Sequence, residues 1–189
     1  QEDELVSVAQ VGEAKDIVMV SENGQAIKFP VAGLTPRSRS AGGVRGIRLL
    51  QGDRVVAMGA VLPGSYLLIV SQRGYGKCTP LASYPRHSRG GQGVRTFRVN
   101  DKTGIIAAAR VVSDSPGQEI FIVSAQAQVV RITLEDVKVT GRNTQGVIVW
   151  RDREPDDYVA SIACFQESEH LRGEPSSNGK HADNGRQES

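Results

Sequence analysis

Short apolar runs separated by polar turns recur three times along the chain at a nearly constant interval. The runs are rich in Ile, Leu and Val, and they lie 50 and 53 residues apart, at 17–21, 67–71 and 120–124. A turn residue follows each run at an equivalent position, which is Gly24, Gly74 or Ala127, and a returning strand is predicted after the turn, at 26–29, 76–79 and 129–132. An apolar run that ends in a short turn with a glycine signal is typical of a β-hairpin. The sequence therefore predicts three hairpins, one in each repeat.

Each predicted hairpin is followed by a longer irregular segment and two further apolar runs. The pattern predicts a third strand in each unit, at 44–50, 94–99 and 147–151. It also predicts a closing strand in each unit, at 55–61, 105–111 and 158–164. Four short strands in a unit of about fifty residues, without a helical period, are typical of propeller-like blades. We therefore predict an all-β fold, a β-pinwheel or propeller-like array of four-stranded antiparallel blades, with about three blades present.

The repeat alignment divides the chain into five predicted segments. Residues 1–12 align with the closing strand of a unit, so we interpret them as the last strand of a truncated preceding blade. The three blades are predicted at 13–62, 63–113 and 114–165. Residues 166–189 are rich in Glu, Ser, Gly and Asn and nearly free of apolar residues, a composition that predicts a disordered tail.

An arginine-bearing motif occurs in the irregular segment of every unit. It reads Arg-x-x-x-Gly-Val, and it begins at Arg39, Arg89 and Arg142. The net charge is only +2, yet the windows 24–52 and 54–100 contain no Asp or Glu. Glycine turns flanked by arginine present positive charge and backbone N–H groups to anions. These loops therefore predict a surface that binds a polyanion.

The candidate contacts of this polyanion are the basic residues in or beside these loops and in the second hairpin. They are Arg37, Arg39, Arg45, Arg48, Arg73, Lys77, Arg86, Arg89, Arg95, Arg98 and Arg142. Arg142 differs from Arg39 and Arg89 because acidic residues flank it on both sides. The apolar residue before the last arginine of each loop is predicted to lie in the core, at Ile47, Phe97 and Trp150. The pattern leaves open whether Tyr75 and Tyr84 lie in the core or stack on bases.

No constellation of residues in the sequence supports catalysis or metal binding. The Gly-Tyr-Gly-Lys run at 74–77 lacks the full spacing of a phosphate-binding loop and has no predicted helix after it. His87 has no cysteine or histidine cluster around it, and Cys78 and Cys164 occupy non-equivalent repeat positions. The apolar runs are far shorter than the ~20 residues of a membrane helix. We expect a cytoplasmic protein portion without catalytic residues, cofactor or metal.

Three stretches carry a resemblance to a known family. They are GYGKCTPLASYPRHSRGGQGV at 74–94, SENG at 21–24 with GVRGIRL at 43–49, and TGRNTQGV at 140–147. They occur in the order found in the later blades of the C-terminal domain of DNA gyrase A. The sequence differs from that family in two respects, since it holds about three blades instead of six and lacks the heptapeptide Gln-Arg-Arg-Gly-Gly-Lys-Gly. We therefore interpret it as the C-terminal half of such a domain.

The resemblance implies a module that binds and wraps double-stranded DNA and supports ATP-dependent negative supercoiling by a type IIA topoisomerase. The implied partners are double-stranded DNA, the remainder of DNA gyrase A, and DNA gyrase B. ATP and magnesium would belong to other parts of that complex, and so would the DNA-cleaving tyrosine. Three alternatives stay open at this point. They are the related C-terminal domain of topoisomerase IV, a protein-interaction propeller, and a fragment without an independent fold.

Overall fold

The computed structural model describes residues 4–151, 154 and 156–166. Within these residues the chain forms eleven β-strands and three short 3-10 helices, at Val31–Gly33, Leu81–Ser83 and Leu134–Asp136. The strands are β1 Asp16–Ser21, β2 Gln25–Pro30, β3 Val55–Val61, β4 Tyr66–Ser71, β5 Tyr75–Pro80, β6 Val94–Arg95, β7 Ile106–Val112, β8 Gln118–Ser124, β9 Val129–Thr133, β10 Val147–Ile148 and β11 Val159–Gln166.

The strands form three antiparallel sheets, which we call blades 1, 2 and 3. Blade 1 has the strand order β3-β1-β2-β6, and blade 2 has the order β7-β4-β5-β10. Blade 3 contains three described strands in the order β11-β8-β9. The prediction of an all-β fold made of antiparallel blades is confirmed. The unit boundaries at 13–62, 63–113 and 114–165 stay a prediction, and the predicted tail beyond Gln166 lies outside the described residues.

The fourth strand of a blade comes from the following unit, which corrects the predicted blade composition. In blade 1, Val94 pairs with Ala26 of β2, although Val94 belongs to the second unit. In blade 2, Val147 of the third unit pairs with Gly76 of β5 in the same way. The predicted strand at 44–50 is wrong, because that segment forms no strand among the described residues. A two-residue strand forms only where an open hairpin edge lies beside the loop.

The three predicted hairpins form, and their turns share one backbone conformation. The third turn position has φ of 89° at Gly24, 76° at Gly74 and 62° at Ala127. Positive φ is readily adopted by glycine and strained for residues with a Cβ atom. The repeat therefore requires the left-handed conformation at this turn position, and in the third unit alanine occupies it.

The N-terminal segment differs from its predicted structure. Residues 4–11 form no strand, so the prediction of a closing strand at 1–12 is wrong for its described part. Leu5 is 85% exposed and Val8 is 79% exposed, whereas the true closing strand β3 is half-buried. β1 holds β3 in its sheet and the equivalent strand β4 holds β7, whereas the described part of the chain offers no such partner to residues 4–11. Alternating apolar residues alone do not form a strand when no neighbouring edge is available.

The core lies between successive blades, and β4 shows this directly. Leu67 and Ile69 pack into the cluster that joins blades 1 and 2, while Leu68 and Val70 pack into the cluster that joins blades 2 and 3. Successive strand residues point to opposite faces, so a strand covered on both faces is apolar throughout. Because a core joins each blade to the next, the arginine loops of successive units lie next to one another.

Candidate nucleic-acid interface

The three arginine loops, which we define as loop 1 (39–48), loop 2 (89–98) and loop 3 (142–151), are joined to each other by backbone hydrogen bonds. The amide of Arg48 donates to the carbonyl of Gly91 over 2.8 Å. At the equivalent position one unit later, the amide of Arg98 donates to the carbonyl of Thr144 over 3.0 Å. A further bond runs from the amide of Gly90 to the carbonyl of Gly46 over 2.6 Å. The loops therefore form one continuous edge across the blades.

A glycine fixes the point where each of loops 2 and 3 joins the preceding blade. Gly93 has φ of 74° and Gly146 has φ of 73°. A Cβ atom on Gly93 would lie 2.7 Å from the carbonyl carbon of Ala26 and nearer still to its oxygen. A Cβ atom on Gly146 would lie 2.8 Å from the carbonyl carbon of Gly76. The Gly-Val of the repeated motif is thus the segment that adds the fourth strand.

The apolar residue near the end of each loop is buried, as predicted. Ile47, Phe97 and Trp150 are 7%, 0% and 5% exposed. Tyr75 and Tyr84, which the sequence left open between core and base stacking, are buried as well. Burial raises the pKa of Tyr84, whose hydroxyl also shares a hydrogen bond with Thr96. These aromatic rings hold the loops on the blades and leave the arginines outside.

Nine of the eleven predicted basic contacts are exposed, and six of them lie in loops 1 and 2. The nine are Arg37, Arg39, Arg45, Arg48, Arg73, Arg86, Arg89, Arg95 and Arg98. Arg86 is paired with Asp16, with 2.8 Å between Nε and Oδ1. Among the described residues, no other member of this set has a carboxylate within ion-pair distance. Unpaired guanidinium groups on a continuous edge give a positive potential that attracts anions.

Two predicted contacts differ from the others in their surroundings. Arg142 is half-buried, and its Cζ atom lies 6.0 Å from the centre of the Tyr84 ring. Lys77 is 0% exposed, so its prediction as a DNA contact is wrong in this structure. Its ammonium donates to the carbonyls of Gly141 and Arg142 beneath loop 3. A lysine whose amino group is fully used inside the protein has no donor left for a phosphate.

The structure adds two basic residues that the predicted set of contacts omitted. Lys102 and Arg151 join Arg73 around a cleft of about 400 Å³, which Tyr75 and Trp150 also line. Arg151 follows Trp150 as Arg98 follows Phe97, so the repeat alignment already contained the signal for it. The position of Lys102 had no such signal, because it depends on how the 100–104 turn packs beside the second hairpin.

Other kinds of site receive no support in the described part of the chain. Its residues contain no group of three or more His, Cys, Asp or Glu placed to hold a metal ion. No helix among them is long and apolar enough to cross a membrane.

The blades and their basic edge define a β-propeller-type module of the kind found at the C-terminus of type IIA topoisomerases. The chain belongs to the DNA gyrase C-terminal domain, beta-propeller family, whose model matches residues 15–61, 65–113 and 118–166. The resemblance inferred from the three sequence stretches is confirmed.

Similar proteins support the same assignment. The DNA gyrase A protein of Dehalogenimonas lykanthroporepellens is 42% identical over 171 residues, which cover 87% of this chain and 21% of that protein. The DNA gyrase A protein of Deinococcus deserti is 39% identical over 174 residues, covering 88% of this chain and 21% of that protein. The chain therefore spans about a fifth of the length of these relatives.

Solved structures agree with the fold. A DNA gyrase A C-terminal domain matches with a TM-score of 0.73 and 27% identity, covering 84% of this chain and 53% of that one. The C-terminal domain of a DNA topoisomerase IV also matches with a TM-score of 0.73, at 23% identity, covering 80% of this chain and 46% of that one. This second likeness supports the fold alone.

Proposed function

We propose that the chain is a DNA-binding and DNA-wrapping module of a DNA gyrase A protein. The observation that carries the proposal is the row of exposed arginines on three loops that hydrogen-bond to one another across the blades. Guanidinium groups suit phosphate because they offer several N–H donors in a planar fork. The contacts are to phosphates, so binding is independent of base sequence.

The spacing of the loops favours a long contact along the duplex over a single phosphate pocket. Each loop belongs to a different unit, and the aromatic side chains on or beside the loops are buried, at Tyr75, Tyr84, Phe97 and Trp150. Bending a short DNA site costs of order 1–6 kcal/mol, and many phosphate contacts must offset that cost. Arginines shared among three loops supply such contacts, which supports wrapping over simple attachment.

The wider activity and partners follow from the family. We propose that the chain acts with the remainder of DNA gyrase A and with DNA gyrase B in ATP-dependent negative supercoiling in the cytoplasm. ATP and magnesium would bind to other parts of that complex. Gyrase is favoured over topoisomerase IV because the relatives at 42% and 39% identity are gyrase proteins, whereas the topoisomerase IV structure is 23% identical.

A salt titration of DNA binding tests the contact itself. The affinity for a nonspecific duplex should fall steeply with salt, because each neutralised phosphate releases counterions. Replacing Arg89 or Arg98 by Ala should lower the slope of log K against log salt by about 0.9 for each lost contact. Arg131→Ala is the matched control, since Arg131 lies on β9 and pairs with Glu119 over 2.9 Å. Equal slopes for all variants, or salt-independent binding, would refute the proposal.

A topology assay separates wrapping from attachment. A closed plasmid is relaxed by a topoisomerase in the presence of the chain, and the linking number is then measured. Chiral wrapping shifts the linking number, and Arg89→Ala together with Arg98→Ala should reduce that shift. Binding without any shift would contradict wrapping and leave only a basic surface.

A further inference from the structure

Lys77 lies at the junction of blade 2 with loop 3, and its ammonium is surrounded by oxygen acceptors from the loop. The Nζ atom donates to the carbonyl of Gly141 over 2.7 Å, to the carbonyl of Arg142, and to Oγ1 of Thr144 over 3.2 Å. It also lies 5.9 Å from the centre of the Phe97 ring, which belongs to loop 2. All three donors of the ammonium therefore have partners in one short segment.

The repeat shows that a blade does not need lysine at this position. The equivalent residues are Ile27 in blade 1 and Val130 in blade 3. In blade 1, Ile27 packs in a buried apolar cluster with Ile47 of loop 1, and loop 2 passes close to it, since a Cβ atom on Gly91 would lie 3.6 Å from its Cδ1. Burying an ammonium is costly unless it is well hydrogen-bonded. The lysine is therefore explained by what it does to loop 3 and not by the stability of the blade.

Lys77 binds two residues of loop 3, and each of these residues helps to position an arginine. Arg142, whose carbonyl accepts from Lys77, places its guanidinium over the Tyr84 ring. Thr144, whose hydroxyl accepts from Lys77, offers its carbonyl to the amide of Arg98. The same ammonium thus fixes the guanidinium of loop 3 and the bond that joins loop 3 to loop 2.

We propose that Lys77 is a positioning residue for DNA binding, which holds loop 3 so that Arg142 and Arg98 lie on the continuous edge. The inference rests on the proposed DNA-binding function. It assigns to Lys77 an indirect role, in place of the direct phosphate contact that the sequence suggested.

The test compares Lys77→Met with Ile27→Met, an apolar change at the equivalent buried position of blade 1. Hydrogen exchange is measured in the absence of DNA. The exchange rate of the Arg98 amide shows whether loop 3 is docked, because the acceptor of this amide lies in loop 3. Lys77→Met should lower the protection of this amide by about tenfold or more, because the loop opens locally. Ile27→Met should leave it unchanged. Unchanged protection in Lys77→Met would overturn the proposal, whether or not the chain binds DNA.

DNA binding is then measured in a double-mutant cycle with Arg142→Ala. If Lys77 acts by placing Arg142, the double variant should bind as Lys77→Met does, with a salt slope reduced by about 0.9 per lost contact. Additive losses from the two changes would show that Lys77 does not act through Arg142 and would refute the proposal. Failure of the wild-type chain to bind DNA would refute the proposed function. The hydrogen-exchange result would still test whether Lys77 holds loop 3.

A pH titration of the wild-type chain keeps the proposal testable if Lys77→Met does not fold. Burial lowers the pKa of Lys77 to about 8, and a neutral amine keeps only two donors for three acceptors. The protection factor of the Arg98 amide, corrected for the pH dependence of the intrinsic exchange rate, should therefore fall as the pH rises from about 7 to about 9.5. A flat profile would count against the proposal.

Other charged or titratable side chains lie on the surrounding elements, and their contribution to the pH profile must be distinguished from that of Lys77. They are Cys78, Tyr84, Arg98, Lys138 and Arg142. Burial raises the pKa of Cys78 to about 12 and raises the pKa of Tyr84. Arginine keeps its charge throughout the range. Lys138→Met removes the exposed ammonium of the same segment and should leave the profile unchanged.

Discussion

Replacing Gly93 by alanine tests whether strand exchange between units holds the arginine loops in place. Gly93 has φ of 74°, and a Cβ atom there would lie 2.7 Å from the carbonyl carbon of Ala26 in blade 1. The left-handed conformation costs a residue with a Cβ atom about 1–2 kcal/mol. The clash adds to this cost, because Val94 and Arg95 must move away from β2 and lose their pairing.

The expected loss of stability follows from these two contributions. Each lost backbone hydrogen bond contributes about 0.5–1.5 kcal/mol. If two such bonds are lost in addition to the backbone strain of about 1–2 kcal/mol, Gly93→Ala should lower the free energy of unfolding by about 2–5 kcal/mol. Urea denaturation measures this change as a lower midpoint with an unchanged m value.

Gly43→Ala is the matched control, because Gly43 occupies the same place in the motif of loop 1. A Cβ atom on Gly43 would have nothing within 4 Å, and its segment adds no strand to a blade. Its substitution should change the unfolding free energy by no more than about 0.5 kcal/mol, as at ordinary surface sites. Equal stability of the two variants would refute the view that the Gly-Val segment is an anchor. Gly146→Ala should reproduce the Gly93 result in blade 2.

Further predictions concern two local features outside the loops. Ala127 is the non-glycine residue with positive φ among those described, at 62°, so Ala127→Gly should raise the unfolding free energy by about 0.5–1 kcal/mol. A lower melting temperature would contradict this. Burial raises the pKa of Cys78 to about 12, so at pH 8 only about one thiol in ten thousand is ionised. A thiol reagent at pH 8 should therefore label Cys78 at the rate of unfolding, and rapid labelling of the native chain would contradict its burial.

The sequence by itself determined the local elements and the residue class at each repeat position. The hairpins at Gly24, Gly74 and Ala127 follow from a short continuous apolar run that ends in a turn, which is an interaction between residues close in the chain. The burial of Ile47, Phe97 and Trp150 follows because three copies of one motif place an apolar residue at the same point. The exposure of most loop arginines follows from their charge, since guanidinium groups stay in water unless paired.

The tertiary structure alone decided which unit each fourth strand joins. The motif places a valine at the same position in each copy, at Val44, Val94 and Val147. The alignment is therefore equally compatible with pairing inside the same unit or with the preceding unit. The same reason explains why residues 44–50 and 4–11 were predicted as strands, since pairing depends on a neighbouring edge that no local pattern records.

Lys77 shows the same limit at the level of one side chain. A lysine in a basic hairpin is ordinarily exposed, and only the packing of loop 3 from the next unit covers it. Burial depends on segments that are distant in the sequence. The local sequence therefore indicated the charge of Lys77 but not its burial beneath loop 3. The loops and their arginines could be located from sequence, whereas the packing that orders them into one edge came from contacts between units.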